Sequence, residues 1–215
     1  MASLADLERE LRTMLGASAI FYPNGKPQLD DYYEAYLWAE TLDAAATNWT
    51  VAHMNVGSGT DFTFRMGPGL LTSAAAYTYA TLDRGKRRGE LHVGIRIRGQ
   101  SGVLHEFDVV GLSRSAADRC RKQGVQPDER DTRLHIEAKF HAADLSLGTG
   151  RSIIGLRMDC PSIHPFLVSR RKGSDTMRYL IKFHGGTYVY NGFSGDTGHS
   201  YLRVCLKAFL KRWRV

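Results

Sequence analysis

Val103-Leu104-His105-Glu106-Phe107-Asp108-Val109-Val110-Gly111-Leu112 and Arg133-Leu134-His135-Ile136-Glu137-Ala138-Lys139-Phe140-His141 are the two stretches on which the fold turns. Both are short apolar runs interrupted by charge. Side chains alternate faces along a strand. In the second run Leu134, Ile136, Ala138 and Phe140 therefore share one face, and His135, Glu137, Lys139 and His141 share the other. In the first run Glu106 and Asp108 share a face. A carboxylate within so apolar a run is costly unless it is paired or bound to a cation. If the two strands are neighbours, Asp108, Glu137 and Lys139 converge, and the group can hold a hard divalent cation and polarise a water. An Asp–Lys–Glu ion-pair network inside a folded sheet is the alternative reading of the same residues.

Working outward, Glu90, His92, Arg96 and Arg98 alternate with Leu91, Val93, Ile95 and Ile97, which predicts a strand with one apolar face. Residues 99–102 give a hairpin turn into the Asp108 strand. The polar segment 113–132 reads as an insertion between the two decisive strands. Helices are expected at 3–15, with Ser3 as cap, at 30–46, at 70–82, within 142–160 and at 201–213. Further strands are expected at 49–56, 61–66, 166–169, 177–184 and 187–190. This order predicts an α/β fold in which a mixed β-sheet is flanked by helices. Residues 1–69 read as an N-terminal helical and strand extension packed on a core of 70–215, which ends in a basic helix.

Asp108 followed by Glu137-Ala138-Lys139 resembles the bipartite motif of the PD-(D/E)xK nuclease superfamily, the restriction-endonuclease-like fold. Phe107 stands where that motif has proline. The resemblance covers roughly residues 70–185. It implies a metal-dependent nuclease that hydrolyses phosphodiester bonds in DNA ahead of RNA, in restriction, phage defence, repair or mobile-element processing. It further implies Mg2+ (Mn2+ as substitute) held by Asp108, Glu137 and the backbone carbonyl of Ala138, with Lys139 orienting the attacking water. Such enzymes often add a carboxylate from a helix before the sheet; Glu34 and Glu40 are the candidates, with Glu90 at the start of the hairpin as a third choice. Glu106, two residues before Asp108, is a further candidate for the site, with a salt bridge to Arg96 or Arg98 as its structural alternative. A nuclease-like domain that has lost catalysis and binds nucleic acid or partner proteins is the competing functional class.

The net charge of +7 and pI near 9.4 suit an anionic partner. Arg84, Lys86, Arg87 and Arg88 form one basic cluster, Arg170, Arg171 and Lys172 a second, and Lys207, Lys211, Arg212 and Arg214 a third. The first two are assigned to phosphate contacts. Concerted double-strand breaks would require a homodimer or partner subunits of a larger system, because one site cuts one strand. The three cysteines, Cys120, Cys160 and Cys205, lack the spacing of a disulfide framework or zinc site. Residues 3–15 alternate apolar and charged residues, unlike a signal peptide, and no run is long enough to span a bilayer. A cytoplasmic protein is the expectation. Asp196-Thr197-Gly198 matches the aspartic-protease triplet but has no second copy to form a dyad. There is no phosphate-binding loop of the G-x-x-x-x-G-K-[ST] type.

Overall fold

The computed structural model describes residues 3–16, 19–22, 26–56, 61–73, 76–140 and 143–213, with backbone alone at 19–22. Its centre is a seven-stranded mixed sheet. In spatial order the strands are β2 (Thr50–Met54), β4 (Tyr79–Arg84), β5 (Arg87–Arg98), β6 (Leu104–Ser113), β7 (Thr132–Lys139), β8 (His164–Ser169) and β9 (Thr187–Tyr190). Pairing is antiparallel from β2 through β7 and parallel from β7 through β9. A separate parallel pair joins β1 (Ala19–Tyr22) to β3 (Phe62–Arg65). The α/β class and the mixed, helix-flanked sheet are therefore as expected.

One face of the sheet carries α2 (Leu29–Ala46) with α1 (Leu4–Leu15) and α6 (Thr197–Arg212). α2 is buried on nearly every side, through Tyr33, Tyr36, Leu37 and Trp38 among others. The Trp38 indole N–H donates to the Leu91 carbonyl at 3.0 Å and fixes the helix over the sheet. Residues 29–54 thus supply both the central helix and an edge strand of the same sheet. The opposite face carries α3 (Arg114–Gln123), α4 (Leu147–Asp159) and α5 (Asp175–Phe183).

Two expectations are corrected. Within 70–82 the described residues up to 78 are not helical, and 79–84 form β4. There Ala80 and Leu82 alternate into the core, and Gly85, at φ +59°, allows the tight turn into β5. Residues 177–183 fall in α5, with His184 as its C-cap, instead of a strand. Ser174 caps its first turn, and Met177 and Ile181, four apart, are its buried stripe. The polar segment 113–132 holds α3, capped by Ser113, which packs Ala117 and Cys120 onto the sheet.

β5 also departs from simple alternation. Leu91 and Val93 join the α2-side cluster, but Ile95 and Ile97 join the α3-side one. The switch falls at Gly94, at φ +60°, where an added Cβ would meet the Gly67 carbonyl at 3.3 Å. Glu90 and His92, on the face opposite Leu91 and Val93, lie buried beneath α3. They form a chain: Tyr77 Oη to His92 Nδ1 at 3.1 Å, His92 Nε2 to Glu90 Oε2 at 2.9 Å, and Glu90 to the Arg121 guanidinium. Arg65 stacks over the Tyr77 ring at 3.7 Å and Arg121 over Tyr79 at 4.9 Å.

Burial lowers the His92 pKa, against the opposing pull of Glu90. The unfolded chain then binds more protons at this site than the folded one, so stability rises with pH. The contribution is full above the unfolded value of about 6.5 and is lost as pH falls through it. Glu90 adds a second loss at lower pH. Burial works against its charge, but hydrogen bonds from His92 and Arg121 outweigh that and hold its pKa below the usual value. Thermal melts from pH 8 to pH 5 should show a falling midpoint, and His92→Gln should flatten the upper part of that profile. An identical slope in the variant would remove His92 as the cause.

Candidate active site

β6 and β7 pair only from Leu112↔Thr132 to Val109↔Ile136. Beyond that point the strands part, and the gap is where the charged residues of both runs meet. Asp108, 7% exposed, turns its carboxylate into the gap and accepts the Ala138 N–H at 2.8 Å. The N–H and C=O of one residue in an extended strand point to the same side. The Ala138 carbonyl therefore also faces the gap, with no β6 partner in the ladder. From the opposite wall α2 brings Asp30 and Glu34, one turn apart. Asp30 accepts the Phe140 N–H at 3.2 Å and ties the start of the helix to the end of β7.

Together Asp30, Glu34, Glu106, Asp108, Glu137, Ala138 and Lys139 line a cavity of about 250 Å³. Five carboxylates face one ammonium there. Lys139 Nζ lies 2.7 Å from Glu137 Oε1, and His135 Nε2 lies 3.3 Å from Glu137 Oε2, off the hydrogen-bonding direction. Burial, then the Glu137 charge, pushes the Asp108 pKa up. Burial, then Asp108, pushes Glu34 well above the usual carboxylate range. Glu106 is raised by burial and by Glu137. Glu137 goes the other way: burial opposes its charge, but His135 and Lys139 outweigh burial and hold its pKa low. Burial works against the Lys139 charge too, yet Glu137 and Asp108 raise its pKa. The cavity thus gathers more carboxylates than its own lysine can offset, and burial drives Asp108 and Glu34 toward the neutral form.

The structure brings Asp108, Glu137, Ala138, Lys139 and Glu106 together. It also separates the three further carboxylate candidates. Glu34 shares the cavity, whereas Glu40 accepts from Tyr36 Oη at 2.9 Å and pairs with His199 and Arg203 under α6, and Glu90 lies beneath α3. Asp30 was legible only as a helix-start residue, and its place at the cavity comes from the Phe140 contact. His135 is fully buried, its ring 4.2 Å from that of Phe107, and is no surface histidine. His141 lies outside the described residues.

The basic clusters separate. The Arg170 N–H donates to the Lys139 carbonyl at 2.9 Å, so 170–172 stand beside the cavity. Residues 84–88 form the turn between β4 and β5, seven positions along β5 from Gly94, or about 20 Å at the rise of a strand. There Arg84 and Arg87 donate to the carbonyls of Lys211 and Trp213 and hold the end of α6, and Arg88 pairs with Asp83.

Among the described residues no three His, Cys, Asp or Glu side chains form a metal-binding group by themselves. The donors at the gap are of another composition: two carboxylates and a backbone carbonyl, all oxygen, with room for waters. That set fits a hard cation such as Mg2+, which keeps several waters and takes few protein ligands. All three cysteines are free. Among the described residues no helix is long and apolar enough to cross a membrane.

No family model matches the chain, and no curated protein matches it. Among solved structures, the crystal structure of a protein of unknown function designated AF1548 aligns with it at a TM-score of 0.38 and 17% identity, over 53% of this chain and 55% of that one. A likeness at that level supports no assignment of fold family or function.

Proposed function

We propose that the protein is a divalent-cation-dependent phosphodiesterase of restriction-endonuclease-like, PD-(D/E)xK type, acting on DNA ahead of RNA. The observation that carries the reading is the meeting of Asp108, Glu137, the Ala138 carbonyl and Lys139 in one cavity at the parting of β6 and β7. An ion pair between Glu137 and Lys139 alone would account for neither Asp108 nor Glu34 and Glu106 in the same cavity.

Asp108, Glu137 and the Ala138 carbonyl would hold Mg2+ or Mn2+. When bound, the cation supplies Lewis-acid polarisation of a phosphoryl oxygen and a more acidic water. Lys139, fixed by Glu137, orients the water for in-line attack and offsets the charge that builds on the phosphate. Glu34 and Glu106 accept hydrogen bonds from water in the cavity and keep the nucleophile on the side facing phosphorus. Arg170, Arg171 and Lys172 carry the phosphates flanking the scissile bond, and the net charge of +7 draws in the polyanion.

Incubating plasmid, single-stranded DNA and RNA in parallel, with Mg2+ and with chelator, tests the reading. Magnesium-dependent cleavage of DNA is expected, and failure to cut any of the three would refute it. Glu106→Gln removes a charge and nearly preserves shape. It is expected to lower the cleavage rate about tenfold or more, in the range of general acid–base and positioning effects, while changing DNA affinity less than threefold. Equal losses in rate and affinity would move Glu106 out of the chemistry and into binding.

A further inference from the structure

Beyond the catalytic cavity, the ends of the three parallel strands form a row. Lys139 of β7 pairs in register with Ser169 of β8, and Ser169 with Tyr190 of β9. At about 4.8 Å per strand the row is about 10 Å long. Two further cavities continue it. The first, about 350 Å³, is lined by Arg170, Arg171, Lys172 and Tyr190 together with Asn191, Asp144 and Asp196. The second, about 580 Å³, shares Tyr190 and runs along the outer edge of β9, between α5 and α6, past Tyr179, Tyr188, Tyr201, Arg178 and Lys182. Tyr179 is 73% exposed and Tyr201 55% exposed. Tyr188 and Tyr190 sit on one face of β9 with ring centres 6.4 Å apart.

Tyrosines exposed as far as Tyr179 and Tyr201 contribute nothing to the core, and with the half-buried Tyr188 and Tyr190 of β9 they place rings from three elements around one groove. Cations outnumber carboxylates in the two cavities five to three, the carboxylates being Asp144, Asp175 and Asp196. Arg178 pairs with Asp175, and Arg170 with Asp196. Among the described residues Lys172 and Lys182 pair with no carboxylate. Aromatic faces interleaved with cations are the chemistry of single-stranded nucleic acid binding, in which bases stack on rings and phosphates meet ammonium groups. A regular duplex keeps its bases stacked on each other and offers no free base face to such a groove.

We propose that the groove beside β9 holds a single-stranded DNA segment that leaves the catalytic cavity over residues 170–172, so that the substrate is DNA with a flap, overhang or frayed end. This rests on the nuclease reading for the cavity, but the groove's binding is measurable without cleavage.

The experiment is fluorescence anisotropy of a labelled oligothymidylate in chelator, with the wild-type protein, the Tyr179→Ala/Tyr201→Ala variant and the Tyr179→Phe/Tyr201→Phe variant. Both tyrosines are exposed, and matching melting curves would confirm that the variants fold. Removing stacking should weaken binding on the order of tenfold per tyrosine, and phenylalanine, which stacks without the hydroxyl, should restore it. No binding by the wild type, or undiminished binding by the alanine variant, overturns the proposal. So does an alanine variant that changes only its oligomeric state on gel filtration, since the edge of β9 would then face a second copy of the chain. Magnesium-dependent cleavage with tyrosine-independent binding removes the groove alone. Tyrosine-dependent binding without cleavage leaves the groove standing and removes the hydrolase.

Discussion

Asp108→Asn should abolish cleavage and at the same time make the metal-free protein more stable. Asparagine keeps an oxygen to accept the Ala138 N–H that Asp108 now takes at 2.8 Å. It replaces an acid that is 7% exposed, shares its cavity with four other carboxylates, and whose ionisation burial and Glu137 oppose. Burying an ion without full compensation is costly, and a gain of about 1 kcal/mol corresponds to roughly 2–4 °C in a domain of this size. Magnesium should reverse the ranking. A cation that binds only the folded state raises the melting temperature of the wild type with its concentration, and the variant, lacking a ligand, should not respond. Differential scanning fluorimetry with and without Mg2+ reads both effects. A destabilised variant, or one that responds to Mg2+ like the wild type, would place the cation elsewhere. The cleavage rate should fall on the order of a thousandfold, the upper range for removal of one preorganised electrostatic group.

Arg121→Ala should be the most destabilising surface-to-core change in the protein. Arg121 is the cation of the buried Glu90, which is 1% exposed, and it stacks over Tyr79. Removing one partner of a buried pair leaves the other charge uncompensated, at a cost of about 3–5 kcal/mol. Adding Glu90→Gln should recover a large part of that loss, because the orphaned charge goes with it. Urea titration of the two single variants and the double variant gives the coupling energy directly. A loss under about 1 kcal/mol in Arg121→Ala would mean that water reaches Glu90 and stands in for the guanidinium. The network lies under α3, on the face away from α2, so cleavage per folded molecule should be retained.

The parts of the fold that were legible in the sequence are those in which local pattern and tertiary environment agree. Leu134, Ile136 and Ala138 do point to the α2 layer, and Glu106, Asp108, Glu137 and Lys139 do share a cavity. The strand period alone carries that much, because a charged residue repeated at every second position has only one face to occupy. Where tertiary pairing overrides local preference, the sequence misleads. The Ala-rich start of 70–82 suggests a helix, but Tyr79, Thr81 and Asp83 face partners on β2 and β5 that only the folded sheet provides. At 177–184 a short apolar run suits strand and helix alike, and the Ser174 cap was the signal that separates them. The move of Ile95 and Ile97 to the α3 side follows from the break in alternation at Gly94, which periodicity counted across the glycine conceals. Glu34 could not be chosen over Glu40 from the sequence. Six residues apart on a helix, they face different directions, and which one meets Asp108 depends on how α2 crosses the sheet.

The most direct measurement of the central claim is the rate at which Mg2+-supplemented protein nicks supercoiled plasmid, taken side by side for the wild type and Glu137→Gln. Glutamine at this position keeps the size of the side chain but removes the charge that would hold the cation and that now fixes Lys139 at 2.7 Å. Nicking by the wild type that stops in chelator and is absent in Glu137→Gln is the predicted result. Nicking that persists in Glu137→Gln, or a folded wild type that leaves the plasmid intact in Mg2+ and in Mn2+, would contradict it.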